Sequence, residues 1–291
     1  MRPHRWYTPW LLVLPAFAFL ALFSLWPAVN TGVLSFTNVH TLTGGHFVGL
    51  RNYQRILDDP QLRDALVNCL VYVAVCVPLL TLLPLLLALL VERNLPFMAF
   101  FRTVLYFPVI ASAVVVALIW QWLLDDRGIA NGLAQQADLI HSAIPFLTGR
   151  WLLLFSAIAL TVWKGLGYYM ILYLSALGHV RRELHEAAAV DGAGPVRRFW
   201  SVTVPGVRGT MLLASMLVTV SAMRVFTELY ILGGRTGGVG GRDVSVVMLI
   251  QQSVSGSDGR VGYASALSVL LFVITIGPMA LLVLLNRRAE R

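Results

Sequence analysis

Six stretches of the chain are long and apolar enough to cross, or nearly cross, a lipid bilayer: residues 10–33, 65–91, 103–124, 151–177, 209–232 and 261–286. A spanning helix needs about 20 apolar residues, and in lipid only helices and closed barrels satisfy their own backbone hydrogen bonds. The expectation is an all-α integral membrane protein, one domain over 1–291 with six transmembrane helices. The balance of 58% hydrophobic to 12% charged residues agrees, since soluble domains carry about 25% charged residues. Cys69 and Cys76 lie seven apart in one apolar run, too far along a helix to pair, and read as small buried hydrophobes. The first stretch follows Arg2 and Arg5 like a signal peptide, but it is too long and lacks a small-residue cleavage site, so it reads as a retained anchor.

Orientation follows from the basic residues flanking the spans. With both termini cytoplasmic, the inner segments hold 12 arginines and five acids, the outer ones eight arginines and eight acids. This asymmetry accounts for nearly all of the net charge of +8 and needs no nucleic-acid partner. Trp6 and Trp10 then mark the inner headgroup level, and Trp120, Trp122 and Trp151 the outer one. In the first outer loop, Leu50, Tyr53, Ile56 and Leu57 form an apolar stripe, and Asp59-Pro60 starts the helix feeding the second span. Pro78, Pro84 and Pro108 predict kinks, and the glycine-rich 233–262 loop is expected to be flexible.

Between the fourth and fifth spans lies a polar segment, 181–206. Glu183, Leu184, Glu186 and Ala187–Ala189 favour a helix. Gly192 suits the left-handed residue that ends one, and Pro195 the first position of a second helix that stops at Pro205-Gly206. On this evidence alone it is either an amphipathic linker or a docking surface.

The spacing Glu186-Ala187-Ala188, then Gly192, then Val202-Thr203-Val204-Pro205 resembles the EAA loop of ABC-transporter permeases. Trp163-Lys164-Gly165, Val225-Phe226, Tyr230 and Gly262-Tyr263-Ala264-Ser265-Ala266 extend the resemblance over the chain, to the maltose-type carbohydrate-uptake branch of binding-protein-dependent importers. Val180-Arg181 stands where Ile-Pro is usual, and Gly233-Gly234-Arg235-Thr236-Gly237 where Thr-Gly-Gly-Gly-Pro is. The resemblance implies a multi-pass permease of the bacterial inner membrane. Its partners would be a second homologous permease, two cytoplasmic ATPases and an extracytoplasmic solute-binding protein. Glu186, Ala187, Ala188, Gly192 and Pro205 would couple it to the ATPases, which would hold ATP and magnesium, so the chain itself needs no cofactor. The solute would be a carbohydrate, with glycerol 3-phosphate or another small polar solute as the alternative.

The residues exclude several chemistries. A phosphate-binding Walker sequence needs Gly-Lys-Ser/Thr, yet the one lysine, Lys164, follows Trp163; His185-Glu186 lacks the second histidine of a zinc motif because Ala189 stands there. There is no metal cluster and no paired carboxylate within a span, so no catalytic site. A secondary transporter would need an intramembrane proton or sodium relay, and the spans offer one acid, Glu228. Lys164, Arg224 and Glu228 are the charges inside the spans. Arg224 and Glu228, four apart, could pair on one helix face while Lys164 bonds helix carbonyls. Alternatively they line the solute pathway with Trp163, Tyr168, Tyr169 and Tyr173.

Overall fold

The computed structural model describes residues 8–92, 97–255 and 259–289. Arg2, Arg5 and Trp6 lie outside them. Apart from an isolated antiparallel bridge between Thr37 and Phe47, the regular structure described is helical. Four helices are long and apolar enough to cross a membrane, or up to six if each of two bent pairs counts as one span. The chain forms two compact units: Met1–Pro60 with Leu249–Val273, and Gln61–Met248 with Ile274–Arg291.

In the first unit, α1 (Thr8–Leu20) runs through a π-turn into α2 (Trp26–Leu34). None of the apolar window of Trp10–Leu34 is buried within the chain, which leaves it to lipid or another polypeptide. The following α3 (Arg51–Leu57) departs from the expected stripe. Ile56 is buried at 2% exposure, but Leu50 and Leu57 are exposed, Leu57 at 84%. Asn52 turns inward instead, donating to the Ser35 and Thr37 carbonyls at 2.9 and 2.7 Å. A buried amide that satisfies two loop carbonyls fixes the helix where apolar contact would only orient it. Gly262 lies so close to the Thr37 carbonyl that a Cβ would collide with it, and the Tyr263 hydroxyl donates to Asp59 at 2.5 Å.

In the second unit, α4 (Pro60–Val91) runs uninterrupted through Pro78 and Pro84. The Tyr72 hydroxyl, fully buried, donates to the Ala157 carbonyl at 2.8 Å and lies 2.6 Å from Thr161 Oγ1, joining α4 to α8 (Arg150–Leu177). Helix α5 (Met98–Ile110) meets α6 (Ala113–Leu123) at a 96° bend. The break is not at Pro108 but at Ala111 and Ser112, both extended. After α7 (Ile129–Gln136) and α8 come α9 (Arg182–Val190), α10 (Pro195–Arg198) and α11 (Val204–Gly206). The expected fifth span is then divided: α12 (Arg208–Met223) stops, and α13 (Thr227–Gly233) restarts after three residues. Helix α14 (Val246–Val254) and the long α15 (Val261–Ala289) follow, each contributing residues to both units.

The glycine-rich loop after α13 is held, not loose. Gly234, Gly237, Gly238, Gly240 and Gly241 take positive φ, so its glycines are spent on tight turns. Asn68 donates to the Arg242 and Val244 carbonyls at 2.7 and 2.9 Å. Asp64 pairs with Arg150 at 2.8 Å and Arg242 at 3.3 Å. Asp243 is 1% exposed, and neither carboxyl oxygen has a hydrogen-bond partner. Burial pushes its pKa up to about 6; the Arg150 charge opposes this, Asp64 adds to it, and Arg242 opposes it.

The folded chain thus holds the Asp243 proton more tightly than the unfolded chain. The associated stability is fully present below the unfolded pKa and is lost as pH rises through about 6. Asp243→Asn should therefore flatten the fall in melting temperature between about pH 4 and about pH 6. An unchanged pH dependence would show that the carboxyl is not buried as described.

Candidate functional site

The segment 181–206 is a helix, a glycine turn and a second helix. Helix α9 ends in a Schellman turn, with the Gly192 amide donating to the Ala189 carbonyl at 3.0 Å and the Ala193 amide to the Ala188 carbonyl at 2.9 Å. Gly192 has φ +78°, with open space where a Cβ would stand, so a substitution there would meet backbone strain rather than a clash within the chain. Pro195 opens α10, which passes through a π-turn, Phe199–Thr203, into α11. The base is fixed by buried Thr203 and Val207, and by Gly206, where a Cβ would meet Val180 Cγ2 at 2.8 Å. Pro205 lies in the last turn before the 72° bend into α12. Glu186 and Ala187 are exposed and Ala188 is half-buried. Leu184, Val190, Val196 and Trp200 are exposed on the same segment. It is a firmly based projection with an apolar surface.

A second feature lies inside the same unit, a cavity of about 350 Å³ walled by α4, α5, α8, α12 and α13. Four of the expected residues line it: Lys164, Tyr168, Tyr169 and Glu228. Lys164 donates to the Val109 carbonyl at 3.4 Å. That carbonyl belongs to the last turn of α5, where the helix supplies no donor. Glu228 sits in the first turn of α13, where exposed amides favour a carboxylate. The two tyrosine rings meet edge to face at 5.1 Å.

The other expected residues stand elsewhere. Trp163 is not among the cavity's lining residues and packs on Trp120, with centroids 5.8 Å apart. Tyr173 is fully buried outside the lining, its hydroxyl unpartnered. Arg224 is exposed and caps the end of α12. The break at 224–226 removes the shared helix face on which Arg224 and Glu228 were expected to pair, and no ion pair joins them among the described residues.

Cys76, Thr161 and Ser221 also line the cavity and were missed. Thr161 carried a usable signal: with Lys164, Gly165 and Tyr168 it follows the spacing of one helix face. Ser221 lay three residues before Arg224 and had no such partner once the helix broke.

Membrane-length helices α4 and α8 thus help wall a partly polar cavity, and an exposed helix–glycine–helix loop belongs to the same unit. Residues 42–291 match the family described as binding-protein-dependent transport system inner membrane component, and the chain belongs to that family. It is 31% identical to a probable ABC transporter permease protein of Bacillus subtilis (strain 168), over 92% of each chain. It is 29% identical to the lactose transport system permease protein of Rhizobium radiobacter, over 91% of this chain and 89% of that one. Among solved structures, a bacterial ABC transporter involved in import of the acidic polysaccharide alginate superposes with TM-score 0.84 at 20% identity, over 98% of this chain and 96% of that one. That likeness shows the same fold.

The glycines of α8 are packing residues for the cavity wall. A Cβ on Gly167 would collide with the Leu105 carbonyl and approach Tyr106 Cα at 2.8 Å, both backbone, whereas one on Gly165 would meet side chains, Leu80 at 3.0 Å and Tyr169 at 3.6 Å. Gly167→Ala should therefore destabilise the protein by about 1–3 kcal/mol through overpacking, and Gly165→Ala by less. Thermal melting of the detergent-purified protein is the measurement. Equal melting of both variants with wild type would show that α5 and α8 do not pack this closely.

Proposed function

We propose that the chain is the permease subunit of an ATP-driven importer that carries a carbohydrate across the bacterial cytoplasmic membrane by alternating access. The observation that carries this is the exposed, well-based 181–206 loop on a chain of this permease family. Six transmembrane spans with both termini cytoplasmic would put the loop on the cytoplasmic side, as the arginine asymmetry requires. Glu186, Ala187 and Ala188 then present a narrow helix to an ATPase partner, Gly192 turns the chain back, and Pro205 leads into α12. ATP and magnesium belong to the two ATPase partners. A second homologous permease completes the pathway, and an extracytoplasmic binding protein delivers the solute. Membrane lipid covers the remaining apolar faces.

The cavity is the proposed solute pathway in this half. Lys164 and Glu228 select polar groups, Tyr168 and Tyr169 offer ring faces to a sugar, and Thr161 and Ser221 supply hydroxyls. Trp163, Tyr173 and Arg224 act on its surroundings rather than its lining. A carbohydrate fits better than glycerol 3-phosphate: a carboxylate facing the cavity opposes a phosphate, whereas neutral hydroxyls bond to both charges. The named substrate of the Rhizobium radiobacter relative, lactose, points the same way.

Two substitutions test the pathway. Lys164→Met and Glu228→Gln should each lower uptake affinity or change selectivity in a fully assembled complex. If both leave these unchanged, the cavity is not the route. The loop is tested separately. Gly192→Val, straining a φ of +78°, should reduce ATPase co-purification and solute-stimulated hydrolysis more than Glu186→Ala does, with the membrane part still folded. Wild-type docking and coupling in Gly192→Val would overturn the coupling role, and loss of the whole membrane complex would make the loop merely structural.

A further inference from the structure

A second cavity, of about 560 Å³, lies where the ends of α4 and α8 meet the base of the 181–206 loop. Its chemistry is divided. Leu89, Leu177 and Val180 make an apolar wall at the ends of two membrane-length helices, while Arg182, His185 and Arg198 converge on it from the loop. Glu92 also lines it. The Arg198 Nε is buried and has no hydrogen-bond partner. The first turn of α9 carries both Arg182 and Glu183, and Glu183 lies 3.9 Å from Arg181, outside the cavity lining. An uncompensated guanidinium N–H costs free energy unless an acceptor fills the site. With Glu92 opposing two arginines, the local balance remains positive.

We propose that this cleft binds the phosphate of an anionic membrane phospholipid, with the acyl end against Leu89, Leu177 and Val180. The proposal rests on the topology given above, which puts the ends of α4 and α8 at the inner headgroup level. Phosphate chemistry answers the arginine fork, which pairs with it in bidentate fashion. The apolar wall argues for an amphiphile over a free anion. An acidic side chain of the ATPase partner would satisfy the arginines but leave that wall uncovered. The exposed surface of Leu184, Val190, Val196 and Trp200 is the part of the loop suited to protein contact. A lipid seated there would tie the loop base to the membrane, so that loop motion depends on lipid charge.

The test uses the assembled permease–ATPase complex in nanodiscs of phosphatidylcholine containing phosphatidylglycerol. Phosphatidylglycerol retained after extraction with a neutral detergent is counted by native mass spectrometry. Arg182→Gln and Arg198→Gln should each lower retention roughly fivefold, matching about 1 kcal/mol per basic side chain near an anionic surface. Arg197→Gln, outside the cavity, should leave it unchanged. Equal retention in all variants, or an equal loss with Arg197→Gln, would overturn the site. Displacement of the lipid by inorganic phosphate would reassign the site to a free anion and overturn the lipid. Release of the ATPase by Arg198→Gln with lipid retained would assign the arginines to that partner instead. Sugar-stimulated ATP hydrolysis is followed in the same wild-type samples with the solute-binding protein added. Its absence would count against the transport function, and lipid retention is scored independently of it.

Discussion

A backbone carbonyl that loses its helical donor inside a membrane must find another or face water. In the second unit, that constraint meets two interrupted helices. The α5–α6 break leaves Val109 in a last turn without a helical donor, and Lys164 supplies one. The α12–α13 break creates a fresh helix start in which Glu228 sits. Helix α8 packs against both α5 and α13, so Lys164 and Glu228 reach the same cavity from different helices. Charges that would each cost about 2.5–3.5 kcal/mol at the centre of a lipid-facing helix are admitted here because the broken backbone is itself polar.

The same second unit carries the loop. A tight turn at Gly192 and the close approach of Gly206 to Val180 hold its two helices in a set direction, and a short covalent path joins α11 to α12. Ser221 and Glu228 follow along that path. A displacement at α9 therefore has a packed route to the cavity wall through α12, and a loop that could flex at its base would dissipate it. Exposure of the loop's tip and burial of Thr203 and Val207 at its root serve these two demands.

The long apolar helices were legible in the sequence because the bilayer sets a length that few other structures need. The loop was legible because glycine and proline mark its turns. The breaks were not. Ala111-Ser112 and Arg224-Val225-Phe226 contain neither glycine nor proline, while Pro78 and Pro84, which do carry that signal, sit inside an uninterrupted α4. Once α12 was misread as continuous, Arg224 was placed beside Glu228 on a face that does not exist. Asn52 and Asn68 escaped notice for a related reason: their value lies in loop carbonyls brought near by tertiary structure, at distances that local periodicity does not encode.

Ser221 offers the most direct check that solute passes through the cavity, since it lines the space, is exposed to it and is nearly isosteric with cysteine. In an otherwise cysteine-free chain, Cys69 and Cys76 being replaced, the rate at which a small thiosulfonate modifies Ser221→Cys would be measured in the reconstituted complex. A sugar that stimulates ATP hydrolysis should slow the modification, and the rate should change between the nucleotide-free and ATP-bound complex. A rate indifferent to both sugar and nucleotide would contradict the account.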